Sequence, residues 1–180
     1  MRGRPRVPRI DRIVARAKAP DSFMMKSEKK NGDGSAYYTD PLTQIQDQIG
    51  ARIIVFYLDD IRAAAERAMK YLTVAEQTTK EPESEWEFGY FGQHYVLSLP
   101  GDAIPSTIPV DEAPRQFELQ IRTLFQHAWS ESDHDIVYKA KSRITRLQAR
   151  QCAYAAAQAW GADRVFQELF DQTQKEETGS

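Results

Sequence analysis

The segment from Phe117 to Lys139 constrains the fold most, because its residue pattern changes from strand-like to helix-like. In an extended chain successive side chains point to opposite faces, so the first part of the segment predicts a strand with one polar and one apolar face. The polar face carries Glu118, Gln120 and Arg122, and the apolar face carries Phe117, Leu119 and Ile121. A strand with one face in water shows the same alternation. The large polar residues that follow at helical spacing, Trp129, His134, Tyr138 and Lys139, favour a functional cleft instead.

The composition is that of one ordinary globular domain, with 41% hydrophobic and 28% charged residues in 180. The longest apolar run, Ile53 to Leu58, is far too short to cross a bilayer, so we expect no membrane insertion. Cys152 is the single cysteine, which excludes an internal disulfide and a cysteine-rich metal site. The three histidines are too scattered to form a zinc site with it.

Residues 1–15 form a basic N-terminal arm ahead of the predicted domain, residues 16–180. The arginines of the arm include Arg2, Arg4, Arg6, Arg9 and Arg12. This charge favours an anionic partner near the start of the chain, such as RNA. A solvated, partly disordered arm explains the same composition.

The first half of the domain predicts a helix, a strand and a second helix. Asp21 or Ser22 would cap the first helix. The almost continuous apolar run Ile49 to Leu58 indicates a strand buried on both faces. Asp59 or Asp60 would cap the next helix, which is rich in alanine.

The second half predicts two more strands and two helices. The sequence predicts a turn from Gly89 to His94 and a strand from Tyr95 to Leu99. The strand that begins at Phe117 and the helix after it follow. A long helix is predicted from Ser142 to Asp171, within a C-terminal helical segment over residues 141–171, with an interruption near Gly161. The order of elements predicts an α+β domain with a mixed sheet of about five strands flanked by helices.

Basic and hydroxyl side chains recur around the first predicted helix. Arg16, Lys18, Ser22 and Lys26 would surround a helix start, where free backbone N–H groups also favour anions such as a triphosphate. A solvated helix face has the same composition.

Two further residues have chemistry that suits nucleotides. Asp47 lies just before the hydrophobic strand, where a carboxylate can bind Mg²⁺ carried by phosphates, although a turn aspartate is an equal alternative. Tyr90 follows Gly89, and its ring can stack on a flat base; a buried core tyrosine is the alternative, but the flanking glycines favour an exposed turn.

Taken in order, these motifs resemble the synthetase domain of the RelA/SpoT family, and more closely its small alarmone synthetases and their toxic relatives. The resemblance covers residues 16–139. It consists of Arg16-x-Lys18 with Ser22 and Lys26, Asp47-x-x-Gly50-x-Arg52, Gly89-Tyr90 with His94, and Glu118-x-Gln120-Ile121-Arg122-Thr123 with His134, Tyr138 and Lys139. It implies a nucleotidyltransferase-like fold and an enzyme that transfers the β,γ-pyrophosphate of ATP to the 3′-hydroxyl of a nucleotide.

The resemblance also implies a role for each matching residue. Arg16 and Arg52 would hold the ATP adenine, and Lys18, Ser22 and Lys26 its phosphates. Asp47 would bind Mg²⁺, and Glu118 would be a second metal ligand or the catalytic base. Tyr90 would stack on the acceptor base, while His94, Gln120 and Arg122 would orient the acceptor.

The acceptor and the biological role stay open at this stage. GDP or GTP, as in (p)ppGpp synthesis, is the first expectation. The alternatives are a toxin that makes (p)ppApp from adenosine nucleotides or pyrophosphorylates the tRNA 3′ end, and a catalytically inactive nucleotide-binding module. Glu81, Glu83, Glu85 and Glu87 precede Gly89 and would repel acceptor phosphates. We expect action in the cytoplasm, or secretion as an effector if the chain is a domain of a longer toxin. The toxin alternative implies a neutralising antitoxin or immunity protein.

Overall fold

The computed structural model describes residues 7–80, 84, 87–89, 92–138 and 144–178. A five-stranded mixed sheet organises this part of the chain, in the order β1-β2-β5-β4-β3. The strands are β1 (Ile10–Ala17), β2 (Ile49–Val55), β3 (Val74–Lys80), β4 (Gly92–Ser98) and β5 (Gln116–Thr123). β2 and β5 run parallel and the other neighbours antiparallel. The predicted α+β class with a mixed sheet is confirmed.

Helices connect and cover the strands. They are α1 (Pro20–Ser27), α2 (Pro41–Gln44), α3 (Leu58–Ala68), α4 (Leu124–Asp133) and α5 (Arg146–Thr178). A 3₁₀ turn, Gln46–Gln48, leads into β2, and a π-helical turn, His134–Tyr138, continues α4. Within the described ranges, no helix combines the length and the apolar composition that a membrane span requires.

The core lies between one face of the sheet and α3. Alternate residues of β2, β4 and β5 point into it and pack against small residues of α3. The buried cluster comprises Ile53, Val55, Ala64, Ala65, Tyr95, Leu97, Phe117, Leu119 and Ile121. Because the core takes every second residue of β5, its other residues are left for the opposite face of the sheet.

The predicted change from strand to helix after Phe117 is confirmed. Thr123 ends β5 and caps α4, since its hydroxyl accepts a hydrogen bond from the Gln126 backbone N–H at 3.1 Å. The Gln126 side-chain oxygen accepts from the Thr123 N–H, also at 3.1 Å. This reciprocal capping box fixes the direction in which the chain leaves the sheet.

The beginning of the chain differs from the prediction. Residues 10–15, assigned to the arm, belong to β1, and Arg16 lies on the same strand. Every residue of β1 is exposed, as expected for a charged edge strand whose stability comes from backbone pairing with β2. The predicted caps of α1 are also wrong: the helix begins at Pro20, so Asp21 and Ser22 lie in its first turn.

Three boundaries of strands and helices inside the domain also differ from the prediction. β2 ends at Val55 and its first four residues are only half-buried, because one face opens to a cleft there. Tyr57, rather than Asp59 or Asp60, precedes α3. Residues 92–94 belong to β4 instead of a turn, since they pair with β3 and with β5.

The last helix begins and ends later than predicted. It runs from Arg146 to Thr178 and passes through Gly161 without a break. A single glycine costs a helix only about 1 kcal/mol, and the alanine-rich sequence before it favours continuation.

Candidate active site

The polar side chains of the three adjacent strands β1, β2 and β5 line a cleft of about 160 Å³. Gly50 lies at its centre, opposite Arg16 on β1 and opposite Glu118 on β5. A Cβ placed on Gly50 would meet no atom within 4 Å, so the missing side chain leaves open space between the flanking residues. The lining includes the predicted residues Arg16, Lys18, Asp47, Arg52, Glu118 and Gln120.

Asp47 holds two lysines at one end of the cleft. Its two carboxylate oxygens accept from Lys18 Nζ and Lys26 Nζ, each at 2.9 Å. Burial alone would raise the pKa of Asp47, but the two ammonium groups outweigh burial and lower it. Asp47 is therefore ionised at neutral pH. The 3₁₀ turn before β2 brings its carboxylate to Lys18, which follows β1, and to Lys26 on α1.

Glu118 forms the second acidic centre, on β5. One carboxylate oxygen lies 2.6 Å from His94 Nδ1, and the other accepts from Gln120 Nε2 at 3.1 Å. Burial raises the pKa of Glu118, and the charge of Asp47 adds to this, but the contacts with His94 and Gln120 give a net lowering. His94 reaches Glu118 because β4 pairs with β5, with His94 opposite Gln120.

Two arginines extend the network away from Glu118. Arg52 Nε donates to Gln120 Oε1 at 3.3 Å, and a guanidinium nitrogen of Arg122 donates to the same oxygen. Arg122 is only 4% exposed and also donates to Ser130 Oγ at 2.9 Å. Arg122 thus lies buried beside Gln120 and is not part of the cleft lining.

Glu131 joins this network, and the sequence analysis missed it. Its Oε1 lies 2.8 Å from Arg52 Nη1 and 3.9 Å from Arg122 Nη1. Burial raises the pKa of Glu131, but the positive charge of Arg52 and its hydrogen bond lower it overall. Glutamate on a polar helix face is common, so only the packing of α4 against the cleft reveals this contact.

Some predicted residues lie elsewhere. Ser22 is exposed on α1, one turn before Lys26, and does not line the cleft. Tyr90 lies outside the described residues, as do Lys139 and three of the four glutamates before Gly89; Glu87 is exposed. Trp129 donates its indole N–H to the Cys152 carbonyl at 3.2 Å, so it joins α4 to α5.

Comparison with known proteins gives a family match and the same fold. A family model for a region found in RelA / SpoT proteins matches residues 15–143. The GTP pyrophosphokinase YjbM of Bacillus subtilis (strain 168) is 29% identical over 156 residues, which cover 82% of this chain and 67% of the relative.

Solved structures of a small alarmone synthetase are also similar. The small alarmone synthetase 1 from Bacillus subtilis has a TM-score of 0.75 and 26% identity, with 92% of this chain and 82% of that chain covered. The same synthetase bound to its product pppGpp has a TM-score of 0.73 and 26% identity, with 92% and 80% covered. The family match spans most of the chain, and the fold agrees with it: this chain belongs to the RelA/SpoT family, as an alarmone-synthetase-type domain related to the family's pyrophosphokinases.

Proposed function

We propose that this domain transfers the β,γ-pyrophosphate of ATP to the 3′-hydroxyl of a purine nucleotide, with GDP or GTP as the first candidate acceptor. The observation that carries the proposal is the convergence of two ionised carboxylates and several cations in one cleft. Asp47 and Glu118 supply the carboxylates, while Lys18, Lys26 and Arg52 supply positive charge. Phosphoryl chemistry needs alignment and charge neutralisation, which such a set provides.

On the donor side, Arg16 and Arg52 would hold the adenine of ATP. They lie on the same face of neighbouring strands, because Arg52 is opposite Val14, two residues before Arg16. Lys18 and Lys26 would move from Asp47 to the phosphates. Ser22 lies on α1 one turn before Lys26 and would add a hydroxyl contact.

The two carboxylates fit Mg²⁺ that arrives with ATP. They line one cleft, and the charge of Asp47 raises the pKa of Glu118, as expected for neighbours. Mg²⁺ is usually bound by one or two carboxylates together with substrate phosphates. The described residues contain no group of three or more histidine, cysteine or acidic side chains that could bind a metal ion. Among these residues, Mg²⁺ would therefore need substrate phosphates as additional ligands. Bound there, Mg²⁺ would neutralise phosphate charge.

On the acceptor side, the side chains of Gln120 and His94 both contact the Glu118 carboxylate, and Arg122 donates a hydrogen bond to Gln120. The acceptor 3′-oxygen would form a bond to the β-phosphorus while the bond between that phosphorus and the α,β-bridging oxygen breaks and AMP leaves. The 3′-hydroxyl proton would pass to the Glu118 carboxylate or, if Glu118 serves as a metal ligand, to solvent water. The lowered pKa of Glu118 suits a metal ligand better than a strong base. Tyr90 would stack on the acceptor base.

The direct test supplies Mg²⁺ and γ-labelled ATP, alone and with GDP, GTP, adenosine nucleotides or bulk tRNA. We expect label in the product when GDP or GTP is present. Absence of transfer to every acceptor by folded protein would contradict the proposal and favour an inactive nucleotide-binding module.

The acidic run before Gly89 supports a second candidate, a toxin that modifies adenosine nucleotides or tRNA. Exposed Glu87 and the three glutamates before it would disfavour any acceptor with a 5′-polyphosphate, GTP and ATP alike, so the acidic run favours AMP or the tRNA 3′ end. Label transfer in ATP alone, or only with tRNA, would select this candidate. It also implies a neutralising partner. Either activity would take place in the cytoplasm of the target cell, where ATP is available.

The role of the N-terminal arm in RNA binding must be tested by substitution and not by truncation into β1, which begins at Ile10. Replacing Arg2, Arg4 and Arg6 by glutamine removes charge but keeps the strand. A tRNA-modifying enzyme should lose tRNA labelling and keep its turnover of free nucleotides, whereas equal activities would exclude an RNA-binding role for these arginines.

A further inference from the structure

Glu131 lies outside every motif that carries the family resemblance, yet its Oε1 lies 2.8 Å from Nη1 of Arg52, which lines the cleft, and 3.9 Å from Nη1 of buried Arg122. We infer that Glu131 is a positioning residue that locks the Arg52 guanidinium as a flat platform for the donor base. This inference rests on the proposed function, because Arg52 must contact ATP.

The geometry holds Arg52 at two separate edges. Gln120 Oε1 accepts from Nε at 3.3 Å, and Glu131 Oε1 lies 2.8 Å from Nη1. A guanidinium is planar, so contacts at two of its nitrogens fix the orientation of the plane. Both contacts are made through guanidinium N–H groups, which lie in the plane of the group, so neither partner needs to cover a face of it. Arg52 lines the cleft beside Gly50, where no side chain fills the space.

Glu131 acts mainly on Arg52. Its distance to Arg122 is 3.9 Å against 2.8 Å to Arg52, and Arg122 already donates to Ser130 and Gln120. Removing Glu131 should therefore leave Arg122 in place and free only one edge of Arg52.

The charge of Glu131 also influences which part of ATP binds Arg52. A carboxylate at 2.8 Å offsets the guanidinium charge and weakens its attraction for phosphate. His127, one turn earlier on α4, also interacts with Glu131, but burial lowers the pKa of its ring, and Arg52 is the stronger partner of Glu131. Arg52 is thus better suited to a base than to a triphosphate, while Lys18 and Lys26 remain for the phosphates.

The test compares Glu131→Ala with Glu131→Gln, whose side-chain oxygen can still accept from Arg52. Glu131→Ala should raise KM for ATP about five- to twentyfold, in the range of a lost cation–π contact. It should leave KM for the acceptor unchanged, and it should not weaken inhibition by inorganic tripolyphosphate, which has no base and would meet an Arg52 charge that Glu131 no longer offsets. Glu131→Gln should restore most of the ATP affinity. The control is Glu66→Ala, which removes a similar 3.0 Å pair with Arg62 on the exposed face of α3 and should change none of these constants.

A double-mutant cycle separates positioning from general damage. If Glu131 acts through Arg52, Glu131→Ala should have no further effect on ATP affinity in an Arg52→Ala background. An unchanged KM for ATP in Glu131→Ala, an equal loss of tripolyphosphate inhibition, or additive losses in the cycle would each overturn the inference.

Binding of a non-hydrolysable ATP analogue, measured by calorimetry, distinguishes this failure from failure of the proposed function. Wild-type protein that neither binds the analogue nor transfers label contradicts both. Wild-type and Glu131→Ala proteins that bind it equally well contradict only the role of Glu131.

Discussion

Glu118 holds its carboxylate between His94 and Gln120, with both oxygens engaged. This arrangement keeps the group ionised and oriented towards a cleft that also contains Asp47. Asp47 lies in the 3₁₀ turn before β2 and Glu118 lies on β5, so neither motif alone forms the site. At the level of single residues, the proposed chemistry would depend on keeping the negative charge of Glu118 at that position.

Glu118→Gln tests this dependence, since it preserves shape and removes the charge. We expect pyrophosphate transfer to fall by about a hundredfold or more, because both a metal ligand and a base need the carboxylate. Binding of an ATP analogue in the absence of metal should change little. Glu112→Gln, on an exposed loop, is the matched control and should keep full activity. Full activity in Glu118→Gln would remove Glu118 from the catalytic machinery.

At the level of elements, the parallel pair β2 and β5 creates the cleft, and Gly50 keeps it open. The sequence predicts these two central strands well, because β5 alternates polar and apolar residues and β2 is strongly apolar. It does not reveal the edge strands. β1 carries arginines and is exposed along its whole length, and β3 has the sequence Val-Ala-Glu-Gln-Thr-Thr-Lys with little apolar content, so backbone pairing rather than burial defines both strands.

Gly50→Leu tests whether the open floor of the cleft accommodates ATP. The free space around the glycine should let the variant fold, while the new side chain occupies the space next to Arg16 and Glu118. We expect KM for ATP to rise at least about tenfold, the equivalent of losing 1.4 kcal/mol of binding. Gly50→Ala should have a much smaller effect. Equal KM values in wild type and Gly50→Leu would show that ATP binds elsewhere.

At the level of the whole molecule, α5 packs against the point where β5 ends and α4 begins. Thr123 Oγ1 donates to Asp163 Oδ2 at 2.8 Å, and the Tyr57 and Phe170 rings stack with centroids 4.3 Å apart. Glu131 and Asp163 both escape prediction from sequence for the same reason. Each is a polar residue on a helix, and its importance depends on a partner that is distant along the chain.

Asp163 should make stability depend on pH. Burial raises its pKa to about 6, partly opposed by the hydrogen bond from Thr123, so the folded state binds the proton more tightly than the unfolded state. This group's contribution to stability is therefore greatest at low pH and declines as pH rises from about 4 towards 6. Asp163→Asn cannot ionise and can still accept from Thr123.

Urea unfolding of the wild type and Asp163→Asn measures this effect. At pH 7.5 the variant should be more stable by on the order of 2 kcal/mol, since one unit of pKa shift corresponds to about 1.4 kcal/mol. The difference should shrink at pH 5. A difference that does not depend on pH, or a variant less stable at pH 7.5, would contradict the assignment of a raised pKa to Asp163.

The most direct test of the account is the stoichiometry of a single reaction. Protein, Mg²⁺, ATP and the preferred acceptor are incubated together, and AMP, ADP, inorganic phosphate and pyrophosphorylated acceptor are quantified in parallel. Pyrophosphate transfer predicts AMP and product in equal amounts, without ADP or inorganic phosphate. Formation of ADP, or AMP without pyrophosphorylated acceptor, would contradict the proposed reaction.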